Sequence, residues 1–186
     1  MNSLKFIMQY ILKPHTVGAI LPSSRFLARK MVSFVEFDRC KTIVEYGPGT
    51  GVFTDEMLRL RNPGTKLILI EKNTGFADAL KKKYANTENM AIINDSAENI
   101  GKLLNEHSMN HADCILSGLP FASLPTAVSE SILVQTKTYL AHGGRFVTFQ
   151  YTLLKKEFIT KHFEETVIVR ELRNIPPAYV LCCKKL

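Results

Sequence analysis

No apolar run among the 186 residues approaches the ~20 that a bilayer-spanning helix needs. The short hydrophobic stretch at the N-terminus is not followed by a small-residue cleavage site. Both absences predict a cytoplasmic protein that is not exported. The four cysteines, Cys40, Cys114, Cys182 and Cys183, lack metal-ligand spacing, and two of them are neighbours in a strand-like apolar run. Buried, reduced thiols are therefore expected, with no disulfide framework and no metal site. Acidic residues are short as well: 17 Asp and Glu stand against 24 Lys and Arg, leaving a formal charge of +7. That balance suits an anionic partner, either nucleic acid or an anionic membrane surface, and does not choose between them. Internal repeats, low-complexity tracts and a second domain are absent, which predicts a single domain over 1–186.

What is present centres on Thr42 to Asp55, TIVEYGPGTGVFTD. An apolar β-branched segment passes through Gly47, Gly49 and Gly51 into residues that can begin a helix. A strand, a tight loop and a helix N-terminus suit a ligand that lies against backbone, because glycine removes the Cβ and leaves N–H groups free at the positive end of the helix dipole. Spacing narrows the ligand. The dinucleotide fingerprint needs glycine at position 52, where Val52 stands, and no Gly-Lys-Ser/Thr follows as a phosphate loop requires. Downstream, a second apolar run ends in Glu71 and Lys72, where a carboxylate is placed to accept hydrogen bonds from ribose hydroxyls. A third, MAIIND, leads into Asp95-Ser96-Ala97.

Glu45 with its triple glycine, Glu71 after the second strand and Asp95 after the third together resemble the cofactor motifs of class I S-adenosylmethionine-dependent methyltransferases. The resemblance implies S-adenosyl-L-methionine as cofactor, with S-adenosyl-L-homocysteine as product. It implies that Gly47, Gly49 and Gly51 pass under the methionine part, that Glu71 holds the ribose and that Asp95 meets the adenine. Glu45, Lys72, Ser96, Ser117 and Ser23 complete the expected cofactor-binding set. It also implies a Rossmann-like α/β fold: a seven-stranded, mostly parallel sheet with helices on both faces, the last strand antiparallel, and an N-terminal helical segment.

Leu4 to Lys13 place Leu4, Ile7, Met8, Ile11 and Leu12 at helical spacing, and Pro14 ends the pattern. Two readings stay open: a helix packed on the domain, or one lying in a membrane interface with its lysines near anionic headgroups. Residues 1–31, including Gly18-Ala19-Ile20-Leu21-Pro22-Ser23-Ser24, resemble the N-terminal segment of bacterial phospholipid N-methyltransferases, in which this region is similar to a membrane-attaching lid over the cofactor. Ser23 and Ser24 are candidates to cap a helix beginning near Arg25, to touch the cofactor's methionine end, or both. The catalytic core is expected over 40–186.

Along that core, helices are predicted over Phe53–Leu60, Thr74–Tyr84, Ala97–His107, Ser129–Leu140 and Leu153–Phe163. Lys81, Lys82 and Lys83 read as a solvated face that complements the helix dipole. His107 and His111 read as surface residues without an acidic partner for a metal. Gly143-Gly144 reads as a turn before a fifth strand, Arg145–Tyr151, and two strand-like runs, TVIVREL and AYVLCCKK, close the sheet.

The fourth strand ends in Ser117-Gly118-Leu119-Pro120-Phe121. This resembles the phospholipid N-methyltransferase form of a motif that commonly reads Asn-Leu-Pro-Tyr/Phe in ribosomal RNA adenine dimethylases. An attacking amine needs acceptors to orient it and an aromatic wall to position it, roles expected of Ser117, Leu119 and Phe121. Tyr10, His15 and Tyr151 are candidates by type for removing the ammonium proton. The expected reaction is N-methylation of an amine, with a phospholipid headgroup such as phosphatidylethanolamine as substrate and the N-terminal helix as contact to an anionic membrane, so that the cytoplasmic protein would be peripherally membrane-associated. The alternatives are an RNA adenine N6-methyltransferase and a non-catalytic cofactor-binding protein.

Overall fold

A computed structural model of the protein describes residues 24–186. The expected helix Leu4–Lys13, the start of the Gly-Ala-x-x-Pro-Ser element, Tyr10, His15 and Ser23 lie outside the described residues. The first element among the described residues is α1 (Arg25–Val32), whose N-cap Ser24 accepts a hydrogen bond from Leu27 N at 3.2 Å. Strands and helices then alternate: β1 (Thr42–Tyr46), α2 (Val52–Leu60), β2 (Lys66–Ile70), α3 (Thr74–Lys83), β3 (Met90–Ile93), a short 3₁₀ turn (Ala97–Asn99), α4 (Ile100–Glu106), β4 (Ala112–Ser117), α5 (Thr126–Tyr139), β5 (Leu140–Gln150), α6 (Lys156–Thr160), β6 (Glu165–Glu171) and β7 (Ala178–Lys184).

The seven strands form one sheet in the order β3-β2-β1-β4-β5-β7-β6. Neighbours from β3 to β5 pair in parallel, while β7 runs antiparallel to both β5 and β6. The expected topology, with its antiparallel last strand, is the one observed. Runs such as ILI in β2 are apolar without alternation because the sheet is covered on both faces. On one side Leu27, Met31, Phe53, Met57 and Leu80 of α1, α2 and α3 pack over Ile43, Leu67, Leu69 and Leu116. On the other, Ile100, Leu103, Leu104, Ile132 and Leu133 of α4 and α5 pack over Val44, Ile68, Ile70 and Ile115. Cys40, Cys114, Cys182 and Cys183 are buried free thiols, as expected, and burial pushes each of them up.

Three elements differ from expectation. The fifth strand begins at Leu140 instead of Arg145, because the turn residues Gly143 and Gly144 are themselves paired: Gly143 N donates to Lys185 O at 2.8 Å and Lys185 N to Gly144 O at 3.1 Å. The register against β4 shifts between Ala112 and Cys114, and a bulge absorbs the extra residues. The basic helix predicted over Leu153–Phe163 shrinks to the five residues of α6, leaving Leu153 and Leu154 in a loop. The helix predicted over Ala97–His107 starts as a 3₁₀ turn capped by Ser96.

Candidate functional site

β1 delivers the glycine loop to the C-terminal edge of the parallel strands. Gly47, Gly49 and Gly51 all adopt positive φ (61°, 56° and 83°), a conformation glycine reaches without steric cost. Their missing side chains have different reasons. A Cβ on Gly47 would meet Leu119 Cδ2 at 2.9 Å, and one on Gly51 would meet the Tyr84 hydroxyl at 2.4 Å. A Cβ on Gly49 would meet nothing within 4 Å, so this glycine faces open space. The loop is stapled from α3: Tyr84 donates to Asp55 Oδ1 at 2.7 Å, and Lys83 Nζ donates to Asp55 Oδ2 at 2.7 Å and to Thr50 O at 3.3 Å. Lys83 thus does more than solvate a face. The spacing of the lysine triplet carried no signal for this, because the partner Asp55 lies a whole β-α unit upstream.

Two carboxylates meet beneath the loop. Glu71, at the end of β2, is 7% exposed; its Oε2 accepts from Gly49 N at 3.0 Å and its Oε1 from Asn73 N at 2.8 Å. Glu45, inside β1, is fully buried; Thr54 Oγ1 on α2 donates to its Oε2 at 2.6 Å. Its Oε1 has no hydrogen-bond partner. Burial, reinforced by the charge of Glu71, pushes the Glu45 carboxyl up to about 8 against the pull of the Thr54 hydroxyl. Thr54 was invisible in the sequence as a partner, since nothing in its spacing separates it from an ordinary helix residue.

The remaining expected residues divide. Asp95 is half-buried and aligned by local bonds, accepting from Asn99 Nδ2 at 2.8 Å and Ser96 N at 2.6 Å; Asn99 chiefly holds its carboxyl below the usual range. Ser96 caps the 3₁₀ turn, and Lys72 is exposed beside Glu71. Asn94 clasps this corner, donating to Glu71 O and Lys72 O at 2.8 and 3.1 Å.

At the end of β4, Ser117 is buried with its Oγ accepting from Leu119 N at 3.2 Å, while its carbonyl accepts from Thr148 Oγ1 at 3.3 Å. Leu119 covers Gly47, and its carbonyl accepts from Gln150 Nε2 at 3.5 Å. Phe121 corrects the sequence reading. It is fully buried and packs edge-on against Phe146 at 6.2 Å between centroids, so its ring belongs to the core and forms no wall of the site. Tyr151 follows β5 at the same edge, half-buried, and burial raises its phenol. Among the described residues no group of three or more His, Cys, Asp or Glu side chains is arranged to hold a metal ion.

A glycine cradle facing open space, an unpartnered buried carboxylate oxygen and a second carboxylate at the next strand end fit the amino-acid and ribose portions of S-adenosylmethionine. The comparisons agree with that chemistry. An ornithine lipid N-methyltransferase of Singulisphaera acidiphila is 27% identical over 180 residues, covering 96% of this chain and 94% of its own. A probable ribosomal RNA small subunit methyltransferase A of Thermococcus sibiricus is 34% identical over 92 residues, but covers only 49% of this chain and 32% of its own length. Among solved structures, the 16S rRNA N2 G1207 methyltransferase of Thermus thermophilus in complex with AdoMet and guanosine shares the fold, with a TM-score of 0.66 at 17% identity over 92% of this chain and 45% of its own. This chain therefore spans less than half of either RNA-modifying protein. The model of the family described as ribosomal RNA adenine dimethylase matches residues 7–166, and the chain belongs to that family of S-adenosylmethionine-dependent methyltransferases.

Proposed function

We propose that the protein N-methylates an amine of a lipid headgroup, with phosphatidylethanolamine or an ornithine lipid as the acceptor. The observation that carries this reading is the near end-to-end match to a lipid N-methyltransferase, where the ribosomal RNA relative matches about half of the chain and a third of itself. The Ser117-Gly118-Leu119-Pro120-Phe121 loop, which lacks the asparagine of the RNA-modifying motif, supports the same choice.

When bound, the cofactor supplies an activated sulfonium methyl, so the protein's work is alignment and exclusion of water. In this reading Glu45 would hold the cofactor's ammonium, Gly47, Gly49 and Gly51 would let backbone approach it, and Glu71 would hold the ribose hydroxyls with Lys72 beside it. Asp95 and Ser96 border the adenine, and Ser23 the methionine end. The carbonyls of Ser117 and Leu119, held by Thr148 and Gln150, orient the acceptor amine. Proton removal would fall to Tyr10, His15 or Tyr151.

Labelled S-adenosylmethionine offered with vesicles containing phosphatidylethanolamine, with vesicles containing ornithine lipid and with undermethylated small ribosomal subunits tests the reading. Label in either lipid supports it; label in the RNA alone overturns it. Gly49→Leu fills the open side of the cradle and should abolish cofactor binding, measured by calorimetry; because any side chain at φ 56° is strained, the variant is read beside Gly49→Ala, which carries the strain without the bulk and should keep more of the binding.

A further inference from the structure

The C-terminal edge of the sheet carries a second feature that the cofactor cradle does not use. β5, β6 and β7 bring two loops to this edge: Gln150 at the end of β5 pairs with Tyr179, and Glu171 at the end of β6 pairs with Ala178. The β5–α6 loop exposes Leu153 at 40% and Leu154 at 80%, and the β6–β7 loop exposes Leu172 at 65% and Ile175 at 79%. Phe26, 41% exposed at the start of α1, joins the second loop through Arg173, whose guanidinium lies 4.5 Å over its ring. Isolated exposed leucines are ordinary, but large aliphatic side chains at the tips of neighbouring loops form a patch that water covers at a cost.

The β6–β7 loop is fixed in place. Asn174, 2% exposed, accepts from Ser24 N at 3.1 Å and donates to Pro176 O at 2.7 Å, tying the start of α1 to the β6–β7 loop. Arg173 grips Glu171 with two side-chain bonds of 2.9 and 2.8 Å and holds that carboxyl down to about 2.

The charge around the patch is predominantly positive. Lys155, Lys156 and Arg170 stand in or beside the two loops, and Arg25 is exposed next to Phe26. Arg173 and Glu171 cancel as a pair, which leaves Glu157 as the one acid against these four cations. Lys155 lies 4.9 Å over the Phe158 ring, a cation resting on an apolar base. Protruding aliphatic tips ringed by cations match an interface of acyl chains beneath anionic headgroups. A nucleic-acid groove would call for cations with stacking or hydrogen-bonding groups, and Leu153, Leu154, Leu172 and Ile175 offer neither.

We propose that the β5–α6 and β6–β7 loops, with Phe26, form a docking face for an anionic lipid surface, inserting Leu154 and Ile175 and turning the cofactor edge of the sheet toward the headgroups. The inference rests on the lipid-methylating reading and adds a contact that does not depend on residues 1–23. A membrane-seated acceptor then reaches the Ser117–Leu119 loop without leaving the bilayer.

The test uses the full chain and two variants, Leu154→Ser/Ile175→Ser and Lys155→Glu/Lys156→Glu, in flotation with vesicles of phosphatidylglycerol and phosphatidylethanolamine. Both variants should keep the wild-type melting temperature and cofactor affinity. The first should lose about tenfold or more in vesicle affinity, since each lost side chain removes burial of that order. The second should lose binding in proportion to the phosphatidylglycerol fraction. Wild-type affinity in both variants, or no vesicle binding by the full chain, overturns the proposal, as does loss of binding to small ribosomal subunits with vesicle binding intact. Label transfer by wild type to phosphatidylethanolamine or ornithine lipid dispersed in detergent is measured alongside. Its failure counts against the lipid-methylating reading, and vesicle binding still judges the docking face.

Discussion

The two edges of the same sheet are built in opposite ways. At the edge where the parallel strands begin, polar groups are matched within the protein. Arg61 donates to the carbonyls of Thr65, Asn89 and Glu88 at 2.7, 2.9 and 2.6 Å; Asp113 accepts from Lys41 N and Thr42 N at 2.8 Å each; Thr65 Oγ1 donates to Cys40 O at 2.8 Å; and Arg145 bonds Phe34 O and Glu36. At the edge where they end, a buried carboxylate oxygen has no partner, three successive loop glycines take positive φ and aliphatic side chains stand in water. One edge is finished as a folding problem, and the other is left incomplete on the side where a ligand enters. Buried polar groups in proteins are almost always satisfied, and among the described residues three side-chain atoms are not: Ser129 Oγ, His162 Nε2 and Glu45 Oε1, of which Glu45 is the one that sits in the strand feeding the glycine loop.

The contrast is sharpest if the first edge affects stability alone. Arg61→Ala removes the donor from three carbonyls and should cost about 2–3 kcal/mol, read from the urea midpoint, with cofactor affinity unchanged. An equal loss of cofactor affinity would break the division between edges.

Glu45→Gln should act in the other sense. A carboxyl raised in the folded state to about 8 from its ordinary 4.5 keeps its proton where the unfolded chain releases one, so stability falls as pH rises through that window. The variant should flatten this part of the stability–pH curve while weakening S-adenosylmethionine about tenfold. Wild-type binding near pH 7 should release a proton as the cofactor's ammonium draws Glu45 into its charged form. Calorimetry in buffers of different ionisation heat reads that proton directly.

The smallest effect is expected at Lys83→Ala. The pair with Asp55 is 42% and 52% exposed, so it should contribute less than about 1 kcal/mol and fade with salt, and a modest loss of cofactor affinity would report loosening of the glycine loop.

Much of this edge was legible in the sequence, because strand ends carry their signals locally. The triple glycine follows β1 directly, Glu71 and Asp95 follow their strands, and the two closing strands read as apolar runs around Pro176-Pro177. What escaped depends on contacts between distant segments. Thr54 reaches Glu45 and Lys83 reaches Asp55 only after crossover helices pack, and Phe121 turns inward because Phe146, stacked on Phe163 at 5.4 Å, offers it a buried edge. Gly143 and Gly144 join a strand because β7 pairs past them, a long-range pairing that overrides local turn chemistry.

The bond from Gly49 N to Glu71 Oε2 gives the cradle a placeholder. In the proposed reading a ribose would claim the same carboxylate, so binding would exchange one hydrogen bond for another and this contact would contribute only a modest net gain to affinity.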